Sequence, residues 1–377
     1  MRTPRTRDSL KILLLTDSFN HCCGRSRHVH LLAKSLKDQG HSVFVAFGSG
    51  DGAPMLEADR IPFADWSYLF HQNRSLLNFL HATLAIVQLQ QKEQYDVFHA
   101  HHRYAAAAAR CAAWLFRVPL VMSIHGNVKN KGILPAYTGD HFVAVSESVR
   151  SFAVSEDPSI AGEIVTIPNG ISLSDELPNS PSKTSFRLQW GIPDNAVIVS
   201  MIGRIVEHKG HQLLLEALGQ IKIEKPIVLV IVGEGSAEAR IRSFAANVGV
   251  RTIFSGVVRE SSPFFEFSDI IAIPSLGFEG LPITLLEAGK HSKAVIASDI
   301  AGMHDVIRDG HNGLTIQPGD IQALAIGLRR LIDDVALRQK LGEALHVLVG
   351  REFSVERMAG SFASLYKRVA HRTNYAE

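Results

Sequence analysis

The chain has 377 residues, of which 46% are hydrophobic and 20% are charged, and its formal net charge is +2. This length suggests two domains, and this composition excludes an intrinsically disordered protein. A net charge so close to zero gives no support for a nucleic acid as the main partner.

The start of the chain is basic, with Arg2, Arg5 and Arg7, and leads into a short apolar run at residues 12–15. Because that run is short and is followed at once by Asp17, it predicts a first β-strand rather than a signal peptide. Nowhere does the sequence reach the roughly 18 apolar residues that a membrane-spanning helix needs. The basic start nevertheless favours peripheral contact with the inner face of a membrane.

The cysteines predict no disulfide framework. Cys22 and Cys23 are adjacent, Cys111 is distant, and no C-x-x-C motif occurs. This usage is typical of a reducing compartment, so we expect a cytoplasmic protein.

Apolar segments alternate with helix-like segments through the first half of the chain. The predicted strands are residues 11–15, 43–47, 96–100, 119–124, 142–145 and 164–167. Val29, Leu32, Ala33 and Leu36 recur at helical spacing between the first two, and the alanine-rich residues 104–114 predict another helix. This alternation indicates a parallel sheet with helices on both faces.

The alternation breaks at residues 172–186, which are polar and rich in Ser and Pro and which we interpret as a linker. A second series follows, with predicted strands at residues 197–202, 227–232, 252–254, 270–273 and 294–298. The expected fold is therefore α/β, with two doubly wound Rossmann-like domains that face an interdomain cleft. In open sheets of this kind, ligands bind beyond the carboxyl ends of the strands.

Two glutamates, Glu279 and Glu287, stand with seven residues between them. Pro282 predicts a helix that begins near it, with Glu279 at the helix mouth and Glu287 about a turn and a half inside. The N–H groups of residues 283–285 would point outward beside Glu279 and offer an anion site. Carboxylates beside a bound phosphate suit the hydroxyls of a sugar nucleotide. The alternatives are a dipole-stabilising role for Glu279 and a solvent-exposed position for Glu287.

Two cations follow the predicted strand at residues 197–202. Arg204 comes after Gly203, and Lys209 lies five positions later, before Gly210. A planar guanidinium fork and an ammonium point charge together suit a diphosphate, and their charge would stabilise it as a leaving group. The alternative is an exposed loop with solvated charges. Because no D-x-D motif occurs, a metal-dependent transferase is disfavoured and we expect no metal.

These strings resemble the signature of GT-B glycosyltransferases of family 4, which retain anomeric configuration and use nucleotide sugars. The family's E-G-x-P-x-x-x-x-E-A pattern corresponds to residues 279–288, and its G-R-x-x-x-x-K-G pattern corresponds to residues 203–210. Where the family usually has Gly-x-Pro before the next strand, this chain has Ser292-Lys293-Ala294. In the family, the glycine that this chain lacks would take the left-handed backbone conformation that ends the helix.

The resemblance implies specific roles. Arg204 and Lys209 would hold the donor diphosphate, Glu279 the donor sugar, and Glu287 the ribose hydroxyls. The implied donor-binding set is Gly24, Arg204, Lys209, Gly233, Val258, Glu279, Gly280, Leu281, Pro282, Ile283 and Glu287. The implied catalytic set is Glu279, His125, Arg204 and Lys209.

The first half of the chain carries weaker signals. Gly24 precedes a predicted helix, where backbone can approach a phosphate, although an ordinary turn is the alternative. His125 ends a predicted strand, and in the resembled family a histidine there contacts the donor sugar; a structural histidine is the alternative. His99 and His101 follow another strand, and we favour structural roles for both.

The sequence thus predicts a metal-independent hexosyl- or related transferase in surface polysaccharide or glycolipid synthesis. Its partners would be a nucleotide sugar and a sugar or lipid-linked acceptor, with no further cofactor. We expect an acceptor domain at residues 1–185, a donor domain at 186–355, and a last helix at 356–377 that crosses back to the first domain. The alternatives are a non-catalytic sugar-nucleotide-binding subunit and another GT-B enzyme, such as an epimerase or phosphorylase.

Overall fold

The architecture comes from a computed structural model, which describes residues 9–21, 23–129, 135–174, 182–222, 225–258, 260–277 and 279–374. Contacts between Cα atoms divide the chain into two compact units. The first unit ends at Gly170 and resumes at Val355, and the second spans Ile171–Ser354. The basic start of the chain and Cys22 lie outside the described residues.

The first unit is built on a parallel sheet that has seven strands within the described ranges, in the order β3-β2-β1-β4-β5-β6-β7. These are β1 (Lys11–Thr16), β2 (Ser42–Phe47), β3 (Phe63–Asp65), β4 (Val97–Ala100), β5 (Leu120–Ile124), β6 (His141–Ala144) and β7 (Ile164–Thr166). Residues 12–15 of the central β1 are fully buried, as expected of a strand with helices on both faces. The strand order reverses between β1 and β4, so a ligand crevice is expected at their carboxyl ends.

The helices of the first unit are α1 (Gly24–Asp38), α2 (Ala53–Ala58), α3 (Leu76–Glu93), α4 (Arg103–Phe116), α5 (Glu147–Glu156) and α13 (Val355–Asn374). Their starts follow the usual capping chemistry: the Ser75 hydroxyl accepts from the N–H of Asn78, and His102 Nδ1 accepts from the N–H of Tyr104. The last helix, α13, packs on α1, and its Phe362 and Tyr366 are fully buried.

The second unit repeats the plan with a six-stranded parallel sheet in its described part, in the order β10-β9-β8-β11-β12-β13. Its strands are β8 (Val197–Ile202), β9 (Ile227–Val232), β10 (Arg251–Gly256), β11 (Ile270–Ile273), β12 (Ala294–Ser298) and β13 (Leu314–Ile316). The reversal of strand order falls between β8 and β11. The loops after these two strands are therefore the expected place for a ligand.

The helices of the second unit are α6 (Lys183–Gln189), α7 (His211–Gly219), α8 (Glu238–Val248), α9 (Ser262–Phe267), α10 (Ile283–Lys290), α11 (Ile321–Asp333) and α12 (Val335–Glu352). Asp320 and Asp334 cap α11 and α12 by accepting from backbone N–H groups at 2.9 and 2.8 Å. Leu324, Leu328 and Leu331 of α11 pack into the main core of this unit.

The junction between the units differs from the predicted boundary at residue 185. The second unit begins at Ile171, because the N–H of Ile171 donates to the carbonyl of Phe353 at 2.8 Å and ties the start of this unit to its end. The predicted linker at residues 172–186 is also too long, since α6 begins at Lys183. Residues 175–181 of that linker lie outside the described residues.

No helix among the described residues is long and apolar enough to cross a membrane. Cys23 and Cys111, the two cysteines that the structure describes, are free thiols.

The end of α10 shows the effect of the missing glycine. Ser292 takes a left-handed conformation, with φ of 53°, while its N–H donates to Gly289 and that of Lys293 donates to Ala288. A non-glycine residue pays about 1–2 kcal/mol for this conformation, part of which is offset because glycine has more freedom when unfolded.

We therefore expect Ser292→Gly to raise the free energy of unfolding of the second unit by about 0.5–1 kcal/mol. Urea denaturation measures this change. The control is Ser243→Gly, the same replacement on an exposed turn inside α8, which should be destabilising. Destabilisation by both variants would show that the left-handed turn carries no strain.

Candidate active site

The loop after β8 carries the two predicted cations. Arg204 follows Gly203 and is exposed, and Lys209 ends the short 3-10 turn Glu207–Lys209. This loop lies at the carboxyl end of the central strand, beside the reversal of strand order. Both charges therefore occupy the crevice expected from the topology.

The second loop of this crevice follows β11 and brings Glu279 to Lys209. The Nζ atom of Lys209 lies 2.6 Å from Oε1 of Glu279, and the two side chains are only 21% and 12% exposed. The hydroxyl of Ser275 donates to the same oxygen at 2.8 Å. The structure thus brings together two predicted site residues, Lys209 and Glu279, that lie seventy positions apart in the sequence. It also adds Ser275, which was not predicted, to this contact.

The pKa of His208 reflects the charges around this crevice. Its pKa is lowered, chiefly by partial burial; the Glu279 carboxylate opposes this effect, while Lys209 and Arg204 reinforce it. The charges of Glu279, Lys209 and Arg204 thus all reach this one imidazole. The backbone of His208 also joins the two loops, since its carbonyl accepts from the N–H of Leu276 at 2.7 Å.

The helix beside Glu279 begins next to Pro282, as the sequence predicted. Pro282 is the N-cap, with φ of −66° and ψ of 124°, and α10 starts at Ile283. The prediction that residues 283–285 all offer N–H groups is wrong for Leu285, whose N–H donates to the Pro282 carbonyl at 3.1 Å. The Thr284 hydroxyl donates to the carbonyl of Ile202 at 3.2 Å and ties α10 to the end of β8.

Glu287 lies in α10 and is 2% exposed, so the solvent-exposed alternative is excluded. The helix around it is firmly held: Leu285 and Leu286 are fully buried, and His346 of α12 donates to the carbonyls of Gly289 and Lys290. A buried carboxylate is costly unless polar groups satisfy it. The Glu287 carboxylate is thus held inside the unit, on the helix that follows Glu279.

Glycine is required at two places around this site. Gly233, after β9, has φ of 127°, and a Cβ there would lie 2.2 Å from the carbonyl oxygen of Gly203. Gly302, after β12, has φ of 88°, and a Cβ there would lie 2.2 Å from the carbonyl oxygen of Gly280. The loops that carry Arg204 and Glu279 are thus each packed against a glycine.

The remaining predicted donor-binding residues of this unit lie around the same edge. Val258 follows β10 and packs on an apolar cluster that also includes Ile202, the last residue of β8. Leu281 and Ile283 are 4% and 9% exposed, so their side chains anchor the loop.

In the first unit, Gly24 is the first residue of α1, whereas the sequence predicted a helix that starts just after it, and Cys23 is the N-cap. The adjacent Arg25 pairs with Asp17, which follows β1 and whose side chain is 1% exposed; the two charged atoms lie 2.5 Å apart. His71 and Ser18 also contact the Asp17 carboxylate. Asp17 was not singled out in the sequence, where it reads as an ordinary turn residue.

His125 directly follows β5 and belongs to a cluster of imidazoles. Its Nε2 lies 3.1 Å from Nδ1 of His101, and its ring packs edge-on against that of His28. Burial lowers the pKa of His28 to about 4 and holds the pKa of His101 and of His125 well below the ordinary value. All three imidazoles are therefore neutral at pH 7.

His99 has a structural environment. It is fully buried, its Nδ1 lies 2.6 Å from the hydroxyl of Tyr366 in α13, and its Nε2 lies 2.8 Å from the hydroxyl of Ser123. Both ring nitrogens thus have partners, as expected of a histidine that holds a core together.

Ser275, His208 and Gly302 were missed in the sequence. Ser275 and His208 are polar residues in loops, and only the folded backbone shows that they meet Glu279 and Leu276. Gly302 follows β12, and its spacing from Glu279 gives no hint that their backbones touch. The sequence feature that could have indicated these residues is the presence of glycines and polar residues just after the predicted strands.

Two family models match almost adjoining parts of the chain. Residues 24–175 match the model described as Glycosyltransferase Family 4, and residues 182–346 match the model described as Glycosyl transferases group 1.

Curated relatives match over most of the chain. A phosphatidyl-myo-inositol mannosyltransferase of Mycobacterium tuberculosis is 27% identical over 373 residues, which is 94% of this chain and 95% of the relative. A UDP-Gal:alpha-D-GlcNAc-diphosphoundecaprenol alpha-1,3-galactosyltransferase of Escherichia coli is 27% identical over 287 residues, 71% of this chain and 74% of the relative. The crystal structure of Anabaena Alr3699/HepE with UDP-glucose superposes with a TM-score of 0.82 at 21% identity and covers 95% of this chain and 100% of that one, which establishes the fold alone.

Proposed function

This chain belongs to glycosyltransferase family 4 and has the GT-B fold, and from this premise we propose that it transfers a hexosyl or related group from a nucleoside diphosphate sugar to an acceptor hydroxyl, with retention of anomeric configuration. The observation that carries the proposal is the contact between Lys209 and Glu279 at the carboxyl end of β8, on the loop that also carries Arg204. The cation suits the diphosphate of such a donor, and the acid in the same crevice suits the hydroxyls of its sugar.

The diphosphate is assigned to Arg204 and Lys209. As the bond from the anomeric carbon to the diphosphate breaks, negative charge grows on the leaving oxygen, and two fixed cations stabilise it. Without donor, Glu279 neutralises Lys209; with donor, the diphosphate takes over that contact and Glu279 is released to bind sugar hydroxyls. The N–H groups at the start of α10 support the same end of the donor.

Glu287 is assigned to the ribose hydroxyls, and His125 to the donor sugar. A buried carboxylate binds a pair of hydroxyls by charge-assisted hydrogen bonds, which are stronger than neutral ones. The imidazole of His125 is neutral, so it can share a hydrogen bond with a sugar hydroxyl without adding charge near the anomeric carbon.

We propose that the reaction needs no metal ion and no further cofactor, because Arg204 and Lys209 supply the positive charge. The test is release of nucleoside diphosphate from UDP-glucose, UDP-galactose, GDP-mannose and ADP-glucose in buffer that contains EDTA. Release from at least one donor, unchanged when Mg²⁺ replaces EDTA, is the expected result. Binding of nucleoside diphosphates without release from any donor would instead favour a non-catalytic subunit.

We further propose that the acceptor is membrane-bound and that the enzyme works in the cytoplasm at the inner face of the membrane. The supporting relatives are named for acceptors that carry lipid, a phosphatidyl-inositol and a diphosphoundecaprenol. The free thiols of Cys23 and Cys111 suit a reducing compartment.

An apolar stripe on α3 supports membrane contact. Leu76, Leu77, Leu80 and Leu84 are 77%, 62%, 49% and 55% exposed. Their spacing places them on one side of the helix. Full burial of a leucine contributes about 1.5–3 kcal/mol, so partial insertion of four side chains is enough for reversible binding.

We expect the chain to float with vesicles made of equal parts phosphatidylglycerol and phosphatidylcholine, and the double variant Leu77→Glu/Leu80→Glu to remain in the dense fraction. The control is Ile326→Glu on α11, where the isoleucine is 69% exposed but stands outside the stripe. Flotation of the double variant to the same extent as the unaltered chain would contradict membrane contact through α3.

A further inference from the structure

A compact group of imidazoles lies behind the carboxyl edge of the first sheet. His28 comes from α1, His101 follows β4 and His125 follows β5, so three separate elements meet there. His28 and His101 are 1% and 2% exposed, while His125 is partly exposed. The cluster is thus enclosed on most sides and opens at His125.

The spacing of these imidazoles is close to that of a metal centre. One nitrogen from each ring can be chosen so that all three lie within 4.8 Å of one another. The Nδ1 atom of His101 lies 3.1 Å from Nε2 of His125, so these two rings are in direct contact. Tetrahedral Zn²⁺ with bonds of about 2.0–2.1 Å requires ligand nitrogens about 3.3 Å apart, so the three rings must turn toward a common point when an ion binds.

A polar atom in the cluster lacks a partner. Among the described residues, the buried Nε2 of His101 has no hydrogen-bond partner, although the side chain is almost fully enclosed. The contact with His125 uses the other ring nitrogen, Nδ1, so Nε2 is the nitrogen of His101 that an ion can take. Buried polar groups are nearly always satisfied, and an exception calls for a water, an ion or a functional role.

The charges around the cluster permit a cation. The three imidazoles are neutral, which is the form that binds a metal. The nearest positive group, Arg25, is paired with the Asp17 carboxylate at 2.5 Å, so it does not present an uncompensated charge. A dication held by three neutral histidines has precedent in the His₃ zinc centre of carbonic anhydrase.

A second group nearby has comparable spacing but different chemistry. Asp17, His71 and His102 also offer ligand atoms within 4.8 Å of one another. There, however, Arg25 occupies the carboxylate, and Nδ1 of His102 is engaged as the cap of α4. A metal ion would have to displace both contacts, one of which is an ion pair, whereas in the first group it competes with a contact between two neutral imidazoles. This group therefore serves as a matched comparison.

We propose that His28, His101 and His125 form a binding site for a divalent transition-metal ion of the Zn²⁺ or Co²⁺ type, with one coordination position left for water at the open side. The ion takes no part in sugar transfer. It engages His125 and so removes that imidazole from the donor sugar; this consequence rests on the proposed function, whereas metal binding does not.

The test is a titration of the full-length chain, without a histidine tag and freed of metal by EDTA and desalting, with Co²⁺. Tetrahedral Co²⁺ gives intense visible bands that the octahedral ion lacks, so exposed sites do not mimic the centre. We expect saturation at one equivalent of Co²⁺ per chain and loss of the bands when Zn²⁺ is added.

Three variants locate the site. His28→Leu and His101→Leu should abolish the tetrahedral bands, while His71→Leu, from the comparison group, should leave them unchanged. Leucine fills a similar buried volume without a polar group, so the fold is expected to survive, and near-UV circular dichroism checks it. Each of the two histidine variants is a separate test, so one that folds is enough.

The absence of tetrahedral bands in the unaltered chain, or their persistence in His28→Leu or His101→Leu, would overturn the proposal. If neither variant folds, X-ray absorption of the Zn²⁺-loaded unaltered chain decides. Three imidazole nitrogens at about 2.0–2.1 Å support the site, and fewer than three exclude it.

Discussion

Replacing Lys209 with Met is expected to lower the rate of nucleoside diphosphate release from a sugar nucleotide by roughly 10²- to 10³-fold. The ammonium group is held in place by Glu279 at 2.6 Å before the donor arrives, so its position is already set when charge develops on the leaving diphosphate. Methionine keeps much of the length of the side chain but supplies no charge. The loss should appear in the rate constant kcat as well as in kcat/KM, because the interaction strengthens in the transition state.

Arg204→Lys should also lose activity, since an ammonium cannot reproduce the planar fork of the guanidinium. The control for both variants is Arg329→Met, which removes an exposed cation from α11 of the same unit, where it pairs with Asp333. Rates within twofold of the unaltered enzyme for Lys209→Met would exclude Lys209 from the stabilisation of the leaving group.

Replacing Glu287 with Gln is expected to weaken the binding of nucleoside diphosphates by roughly 5- to 30-fold. Glutamine keeps the shape of the side chain and a hydrogen bond, but it loses the extra 1–2 kcal/mol or so that a charged acceptor gives each bond. Because Glu287 is 2% exposed, water does not screen its charge, and the weaker hydrogen bonds of glutamine are expected to lower the affinity measurably. Isothermal titration with UDP, GDP and ADP gives the dissociation constants.

Deoxynucleotides show whether the ribose is the group concerned. For the nucleotide that binds, the 2′-deoxy and 3′-deoxy forms should bind the unaltered enzyme more weakly than the ribose form, and Glu287→Gln should shrink that difference. Glu343→Gln, at an exposed position of α12, should leave it intact. An undiminished difference in Glu287→Gln would assign the ribose hydroxyls to another residue.

The regular parts of the fold could be predicted from the sequence. The strand at residues 227–232, for example, is an unbroken apolar run, and such runs are typical of strands buried on both faces. The short edge strands β3 and β13 were missed, because three residues carry too little pattern to separate a strand from a loop. The helix α3 was missed as well, since its outer face is apolar and so hides the helical period.

The sequence predicted those site residues that stand together in one short motif. Glu279, Glu287, Arg204 and Lys209 stand in motifs whose spacing is fixed by one loop or one helix turn. The contacts that complete the site are not local. Ser275 reaches Glu279, and Gly302 touches Gly280, only because separate loops converge at the carboxyl edge of one sheet.

The imidazole cluster of the first unit also depends on contacts between residues that are distant in the sequence. His101 and His125 each follow a strand, and parallel strands β4 and β5 are neighbours, so their approach follows from sheet order. His28 lies on the buried face of α1, in the string Arg27-His28-Val29-His30, where nothing in the sequence separates it from an ordinary helix residue. Its meeting with the other two depends on how α1 packs, which is a property of the whole core.

Affinity for the nucleoside diphosphate that binds this chain, measured by titration calorimetry for Glu279→Gln and Lys209→Met side by side, tests the assignment of the crevice most directly. We expect opposite signs. Lys209→Met should bind more weakly than the unaltered enzyme because it lacks a phosphate contact, whereas Glu279→Gln should bind more tightly because it frees Lys209 from its partner. Weaker binding by Glu279→Gln, to the same degree as by Lys209→Met, would mean that the diphosphate does not compete for Lys209, and the proposed donor site would be wrong.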